Sequence, residues 1–284
     1  MSKRRRKTIY RFDDVAIPSD TVHSPPRRKR FPLLRLALVL ILMVAVGVGA
    51  LRGYRAFIGP FEVAWWFIPS EVRVWRPAFL NWPANLVRGP VRVGVQIGHL
   101  GAEQQPDELA NLRFNFGGHA NGVNEVDINA AIGHAVASEL ESRGVVAEVL
   151  PATIPAGYRA DVLVAIHADS TEDPTRRGYK SAHFAPARNP HEALLKVEVD
   201  RQFLGRANRF DDDRNVSGNM LHYYAFDHLR FFHAVDPRTP ALLIETGYIS
   251  HPEELQFLQD ESAVAVLIAD GIMSYLRAIG RVWP

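Results

Sequence analysis

The chain contains no cysteine among its 284 residues. This absence excludes disulfide bonds and any metal site that uses thiolate ligands. A strong metal site in this chain would therefore have to use histidine, aspartate or glutamate side chains. The absence of cysteine is compatible with either side of a membrane, so it does not indicate a compartment.

The chain also lacks a basic excess outside its N-terminus. Its net charge is +2, but residues 1–30 alone hold ten Lys/Arg and three Asp. Of the 33 basic and 31 acidic residues in the whole chain, 23 and 28 remain for residues 31–284, a balance of −5. Without a basic surface, the folded part has no electrostatic basis for binding nucleic acid, and we expect no nucleic-acid partner.

One long apolar run is present, from Phe31 to Leu51, and only Arg35 interrupts it. Its 21 residues would span about 31 Å as a helix, close to the ~30 Å hydrocarbon core of a bilayer. Basic clusters at Lys3–Lys7 and Arg27–Arg30 precede this run, which by the positive-inside rule places the N-terminus in the cytoplasm.

We therefore expect a basic cytoplasmic tail over residues 1–30 and a transmembrane signal anchor over residues 31–52. The protein would then lie in the cell membrane with its catalytic domain on the extracytoplasmic side. A cleaved signal peptide is the alternative, because residues 46–50 are small enough for cleavage, and it would give a secreted form.

Residues 53–90 form a connector that is rich in aromatic residues and proline and has no clear period. Four of the five tryptophans of the chain lie in it. These rings could lie at the membrane interface, where tryptophan is favoured, or cover the surface of the domain that follows. An ordinary irregular connector explains the composition equally well.

From residue 91 to residue 284 the pattern alternates between strands and helices, which predicts an α/β fold. We expect a single open, twisted, mostly parallel sheet flanked by helices and preceded by the transmembrane helix. Helices are expected at Glu125–Arg143, Pro190–Asn208 and Glu261–Ile279. The predicted strands are Val91–Ile97, Val145–Leu150, Asp161–Ile166, Gly178–Phe184 and Ala241–Ile244.

Four candidate site residues stand at the ends of these elements. His99 and His167 follow the first and third predicted strands, Glu125 begins a predicted helix, and Glu245 follows a run of four apolar residues. The carboxyl ends of parallel strands meet in one crevice, so we expect these strands to be neighbours and to run parallel. Two His and one Glu suit a catalytic zinc with an open position, and a further Glu could act as a general base.

Several segments of the sequence resemble the zinc-dependent N-acetylmuramoyl-L-alanine amidase family, and the similarity extends from about Val91 to Ile279. The segments are Gly98-His99, Asn124–Asn129, Ala160–Ser170 and Pro240–Glu254. The sequence departs from the family around the first histidine, where it has Gln96-Ile97-Gly98-His99-Leu100-Gly101, and at Asp169, where the family has Asn.

The resemblance implies that His99, Glu125 and His167 are zinc ligands and that Glu245 is the catalytic base. It also implies hydrolysis of the amide between N-acetylmuramic acid and L-alanine in peptidoglycan, which would make peptidoglycan the partner. Two alternatives stay open: an inactive cell-wall-binding or regulatory module on the same fold, and a zinc hydrolase of another amide. Other histidines, at positions 119, 222, 228 and 233, are expected to be solvated or to belong to the core. The alternative is that His119 lies in a loop that covers the site and that the other three contact substrate.

Overall fold

The computed structural model describes residues 89–282. The predictions of a cytoplasmic tail over 1–30 and a transmembrane anchor over 31–52, and almost all of the connector over 53–90, lie outside these residues. Within residues 89–282, no helix is both long and apolar enough to cross a bilayer.

A five-stranded sheet forms the centre of the described domain. Its strands are β1 (Arg92–Ile97), β4 (Val146–Leu150), β5 (Val162–Asp169), β6 (Lys180–Ala182) and β7 (Ala241–Tyr248), while β2 (His119–Ala120) and β3 (Val123–Asn124) form a separate small hairpin. The strand order is β4-β1-β5-β7-β6. The first four are parallel and β6 runs antiparallel to β7, so the predicted mostly parallel α/β sheet is confirmed.

Two strands extend beyond their predicted ends. Strand β5 continues through His167 to Asp169, and β7 continues through Glu245 to Tyr248. His167 and Glu245 are paired in register on these adjacent strands. Because paired residues of neighbouring strands project from the same face of a sheet, the extra pairing holds both side chains on one side. The sequence predicted that the two strands end at His167 and Glu245, and they run two and three residues further.

The helices of the described domain are α1 (Glu125–Ser142), α2 (His191–Asp200), α3 (Gly218–Leu221), α4 (Pro252–Leu258) and α5 (Glu261–Ala278). Helix α1 begins at Glu125, as the sequence predicts. Helix α2 continues as a π-helical segment, Arg201–Arg206. Together, α2 and this segment cover most of the helix that the sequence predicts over Pro190–Asn208.

Alternate residues of the sheet pack into two separate cores. Val164 and Ile166 of β5 contact the core formed with α1, α2, α4 and α5. Leu163 and Ala165 face the opposite core, which contains Phe226. This period of two is what β geometry requires of a strand buried on both faces.

The second core is supplied in part by the segment 210–240, whose sequence has no helix or strand period. The structure places α3 and two short 3-10 turns in it. Met220, Tyr223, Phe226 and Val235 of this segment are buried. The loop therefore packs against the sheet and forms one wall of the crevice at the strand ends.

Candidate metal centre

His99, Glu125 and His167 converge at the carboxyl ends of β1 and β5. The Nε2 atom of His99 lies 3.2 Å from Oε1 of Glu125, and Nδ1 of His167 lies 3.1 Å from the same oxygen. One ligand atom from each residue lies within 4.8 Å of the others. The structure thus brings the three predicted metal ligands together around one point.

The spacing and chemistry of these atoms suit a small dication. Zinc bonds of about 2.0–2.1 Å in a tetrahedral arrangement separate neighbouring ligand atoms by about 3.3 Å. The two separations between Oε1 of Glu125 and the imidazole nitrogens, 3.1 and 3.2 Å, are close to that value. Two imidazoles and one carboxylate also leave one tetrahedral position free, as in catalytic zinc sites.

Backbone geometry places the two imidazoles in contact. Gly98 follows β1 and its amide donates to the carbonyl of Ile166 on β5, at 2.9 Å. A Cβ at position 98 would overlap the imidazole ring of His167, so only glycine allows that ring to lie against the backbone. His99 itself has a φ of 67°, a left-handed conformation that is uncommon outside glycine.

Glu125 is a buried carboxylate that is 6% exposed at the first turn of α1. Its Oε2 accepts a hydrogen bond from the amide of Gly118 at 2.8 Å, and its Oε1 accepts one from Nδ2 of Asn129 at 3.1 Å. Burial raises the pKa of Glu125, but hydrogen bonds to His167 and His99 and their charges lower it by more. The net pKa lies far below the ordinary value of 4.5, so the carboxylate is ionised and available to a cation.

An outer carbonyl fixes the orientation of His99. Its Nδ1 lies 2.8 Å from the carbonyl oxygen of Asn115, and since a carbonyl can only accept, Nδ1 carries a proton. In the neutral ring the lone pair of Nε2 is then available to a cation, whereas in the protonated ring Nε2 donates to Oε1 of Glu125. Burial lowers the pKa of His99, but the hydrogen bond and charge of Glu125 raise it by more. The net pKa of His99 is above its ordinary value of 6.5.

Glu245 lies beside this cluster on β7. Its Oε2 is buried and has no hydrogen-bond partner within residues 89–282. Burial is the largest reason why the pKa of Glu245 is raised well above 4.5; the charges of Glu125 and Asp169 raise it further, and Lys180 opposes them. A carboxyl group with this environment holds a proton more tightly than an ordinary glutamate.

A crevice of about 620 Å³ opens onto these groups. His99, His167 and Glu245 line it, together with polar and aromatic side chains from two loops, among them Asn115 and Phe231. Its volume lies within the range of about 300–1,000 Å³ that is usual for ligand pockets, so the crevice is large enough for a drug-sized molecule or a short segment of a polymer.

Among the crevice residues that sequence reasoning missed are Tyr223 and Tyr224, which lie in the unpatterned segment 210–240. The only signal was an adjacent aromatic pair. Among the other histidines, His222 also lines the crevice, His119 contacts Asn124, and His233 contacts Glu108. Asp169, where the family has Asn, accepts a hydrogen bond from the buried ammonium of Lys180.

Residues 93–274 match the family model described as N-acetylmuramoyl-L-alanine amidase. That match covers well over half of the chain. The chain belongs to the N-acetylmuramoyl-L-alanine amidase family. The activity of that family, hydrolysis of the amide between N-acetylmuramic acid and L-alanine in peptidoglycan, is therefore assigned to it.

Solved structures of amidases resemble this amidase, while a comparison with curated protein sequences found no match. An N-acetylmuramoyl-L-alanine amidase from Clostridium difficile 630 is 20% identical, with a TM-score of 0.45, over 66% of this chain and 97% of that one. AmiC2 of Nostoc punctiforme is 22% identical, with a TM-score of 0.44, over 66% and 98%. Ami1 from Mycobacterium abscessus is 17% identical, with a TM-score of 0.49, over 66% and 99%.

Replacing any one of His99, Glu125 and His167 should weaken metal binding by the amidase. We expect His99→Ala, Glu125→Ala and His167→Ala each to lower zinc affinity by at least about 100-fold, since losing a ligand should cost more than losing an outer partner. The matched control is His134→Ala, a change at an exposed histidine on α1. Competition with a chromogenic chelator measures the affinities, and equal affinity for His99→Ala and His134→Ala would contradict the site.

Zinc affinity should also fall as the pH falls through the raised pKa of His99. A ligand imidazole must be neutral, so below that pKa each pH unit should cost about tenfold in affinity for one displaced proton. Stability of the metal-free amidase should change in the opposite sense. The ion pair of protonated His99 with Glu125 contributes fully below pH 6.5 and is lost as the pH rises through the raised pKa.

Chelator titrations and thermal melts of the metal-free amidase at a series of pH values check both trends. Zinc affinity that stays constant from pH 8 down to pH 6 would contradict the raised pKa of His99.

Proposed function

We propose that this amidase is a zinc-dependent enzyme in which His99, Glu125 and His167 hold the metal and Glu245 is the general base. The observation that carries this proposal is the convergence of three ligand atoms beside a carboxyl group whose buried oxygen has no partner in the described domain. Such an arrangement offers ligands for a metal and a carboxyl group that can carry a proton, and His99, His167 and Glu245 all line the open crevice.

Zinc is the metal that the donor set favours. Two imidazole nitrogens and one carboxylate oxygen form a ligand set found in catalytic zinc sites, and thiolates are excluded because the chain has no cysteine. When bound, zinc supplies Lewis acidity, which acidifies water and polarises the amide carbonyl.

Glu245 is positioned to move the proton that hydrolysis requires. The attacking water gives its proton to the carboxylate of Glu245 while its oxygen bonds to the amide carbonyl carbon. Glu245 then delivers that proton to the nitrogen of L-alanine as the carbon–nitrogen bond breaks, which leaves a free carboxylic acid on the lactyl group. The environment that raises the pKa of Glu245 favours both steps, because a base with a pKa nearer neutrality accepts and returns a proton readily.

Replacing Glu245 should separate catalysis from metal binding. We expect Glu245→Gln to lower the rate of peptidoglycan digestion by at least about 100-fold, while zinc content stays at one per chain. The rate is measured as release of peptides with a free N-terminal L-alanine from purified cell wall, and zinc by metal analysis of the same samples.

Each outcome of this digestion assigns or removes a role. Full activity of Glu245→Gln would overturn the role of Glu245 as the base. A zinc-loaded wild-type chain that binds cell wall but releases nothing would identify a binding module. Release of a fragment cut at a different bond would identify a hydrolase of another amide.

We further propose that residues 31–52 anchor the amidase in the cell membrane, with residues 1–30 in the cytoplasm and residues 91–284 outside. The length of the apolar run and the basic clusters that precede it support this orientation. A reporter enzyme that is active only outside the cytoplasm, fused after residue 284, should be active and remain with the membrane. A reporter found in the medium would indicate cleavage near residues 46–50, and an inactive reporter would contradict the orientation.

A further inference from the structure

The two ring nitrogens of His167 face different partners. Nδ1 lies 3.1 Å from Oε1 of Glu125, on the side of the proposed metal. Nε2 lies 3.3 Å from the hydroxyl oxygen of Tyr223, whose ring meets the imidazole edge to face. Only if Nε2 carries the proton does Nδ1 keep a lone pair for a cation.

A chain of hydroxyl groups determines which of these atoms donates. The hydroxyl of Tyr224 lies 2.6 Å from the carbonyl oxygen of Ala152, and because a carbonyl can only accept, Tyr224 donates its proton there. The hydroxyl of Tyr224 can then only accept from a neighbouring hydroxyl, and that of Tyr223, 3.4 Å away, donates to it. Tyr223 then has lone pairs left to accept the Nε2 proton of His167.

The carbonyl at the end of this chain is held firmly. Ala152 is 1% exposed. Its amide donates to the carbonyl of Leu100 at 2.9 Å, and its own oxygen also accepts from Nε2 of Gln96 at 2.6 Å. A fixed acceptor that already receives two donors cannot reverse the direction of the hydrogen bonds that lead to it.

His99 reaches the same state by a shorter route. Its Nδ1 donates directly to the carbonyl of Asn115, which leaves Nε2 free on the metal side. A backbone carbonyl thus sets the tautomer of each imidazole. For His99 the carbonyl accepts directly from the ring, and for His167 the hydroxyl groups of two tyrosines lie between the ring and the carbonyl.

We propose that Tyr223 is a positioning residue that, with Tyr224, holds His167 in the tautomer protonated on Nε2 and so presents Nδ1 to the metal. The carboxylate of Glu125 favours the opposite tautomer of His167, in which Nδ1 carries the proton. Without Tyr223, a proton on Nδ1 could bond to Oε1 of Glu125, and metal would have to displace it.

Zinc binding by the full-length chain tests this role directly. Tyr223→Phe keeps the ring that packs on His167 and Phe226 but removes the acceptor. We expect its zinc dissociation constant to rise about 10–100-fold, the usual effect of losing an outer partner of a metal ligand. Tyr224→Phe leaves the Tyr223 oxygen in place, so it should have a smaller effect in the same direction.

The matched control is Tyr158→Phe. Tyr158 belongs to the same buried cluster as Tyr223, but its hydroxyl donates to Glu148 rather than to a metal-site residue. This variant should bind zinc like the wild type, which separates a loss of the hydroxyl at His167 from a general loss of packing.

The position of the proton on His167 is a second readout that does not depend on zinc affinity. Nitrogen-15 NMR of the zinc-loaded wild-type chain should show the His167 proton on Nε2 in slow exchange with water. In zinc-loaded Tyr223→Phe, the same proton should exchange faster.

The role of Tyr223 rests on the proposed zinc centre, and zinc binding by the wild type and by Tyr223→Phe distinguishes failure of the zinc centre from failure of that role. If the wild-type chain binds no zinc, both proposals fail. If the wild type binds zinc but Tyr223→Phe binds it within about twofold as tightly, or if zinc is ligated by Nε2 of His167, only the role of Tyr223 is overturned.

Discussion

A buried, ionised carboxylate held between two imidazoles is the constraint on which the site depends. Burying a carboxylate is costly unless it is paired and hydrogen-bonded. Glu125 has donors from Gly118 and Asn129 and lies at the favourable N-terminal end of α1, yet two imidazole nitrogens still converge on one of its oxygens. A dication between the three atoms turns this arrangement into a set of favourable bonds, which explains why so polar a cluster is buried at the carboxyl ends of the strands.

The parallel sheet gives this cluster its position. His99 and His167 come from neighbouring strands, and Glu245 from the next, so the sheet brings together residues that are far apart in sequence. Most of this was predictable. Apolar runs ending in His or Glu indicated the strands, helix periodicity indicated α1 from Glu125, and the parallel arrangement followed from strand–helix alternation. Placing Glu245 in an apolar strand was the most informative signal, because unpaired carboxylates are rarely buried.

What could not be predicted lies in contacts that have no local pattern. Strands β5 and β7 continue past His167 and Glu245 because each pairs with the other, which no single strand reveals. Gly98 is required by a ring that is 69 residues further along the chain. Tyr223 and Tyr224 lie in a segment without helix or strand periodicity, and only the folded chain shows that a carbonyl at Ala152 orients them.

The most direct measurement of the central claim is a crystal structure of the zinc-loaded chain with diffraction data collected on both sides of the zinc absorption edge. An anomalous peak within about 2.2 Å of His99 Nε2, Glu125 Oε1 and His167 Nδ1, with Glu245 beside it, is the result that the account predicts. A peak held by other residues, or imidazoles turned away from one another in the zinc-loaded crystal, would contradict it.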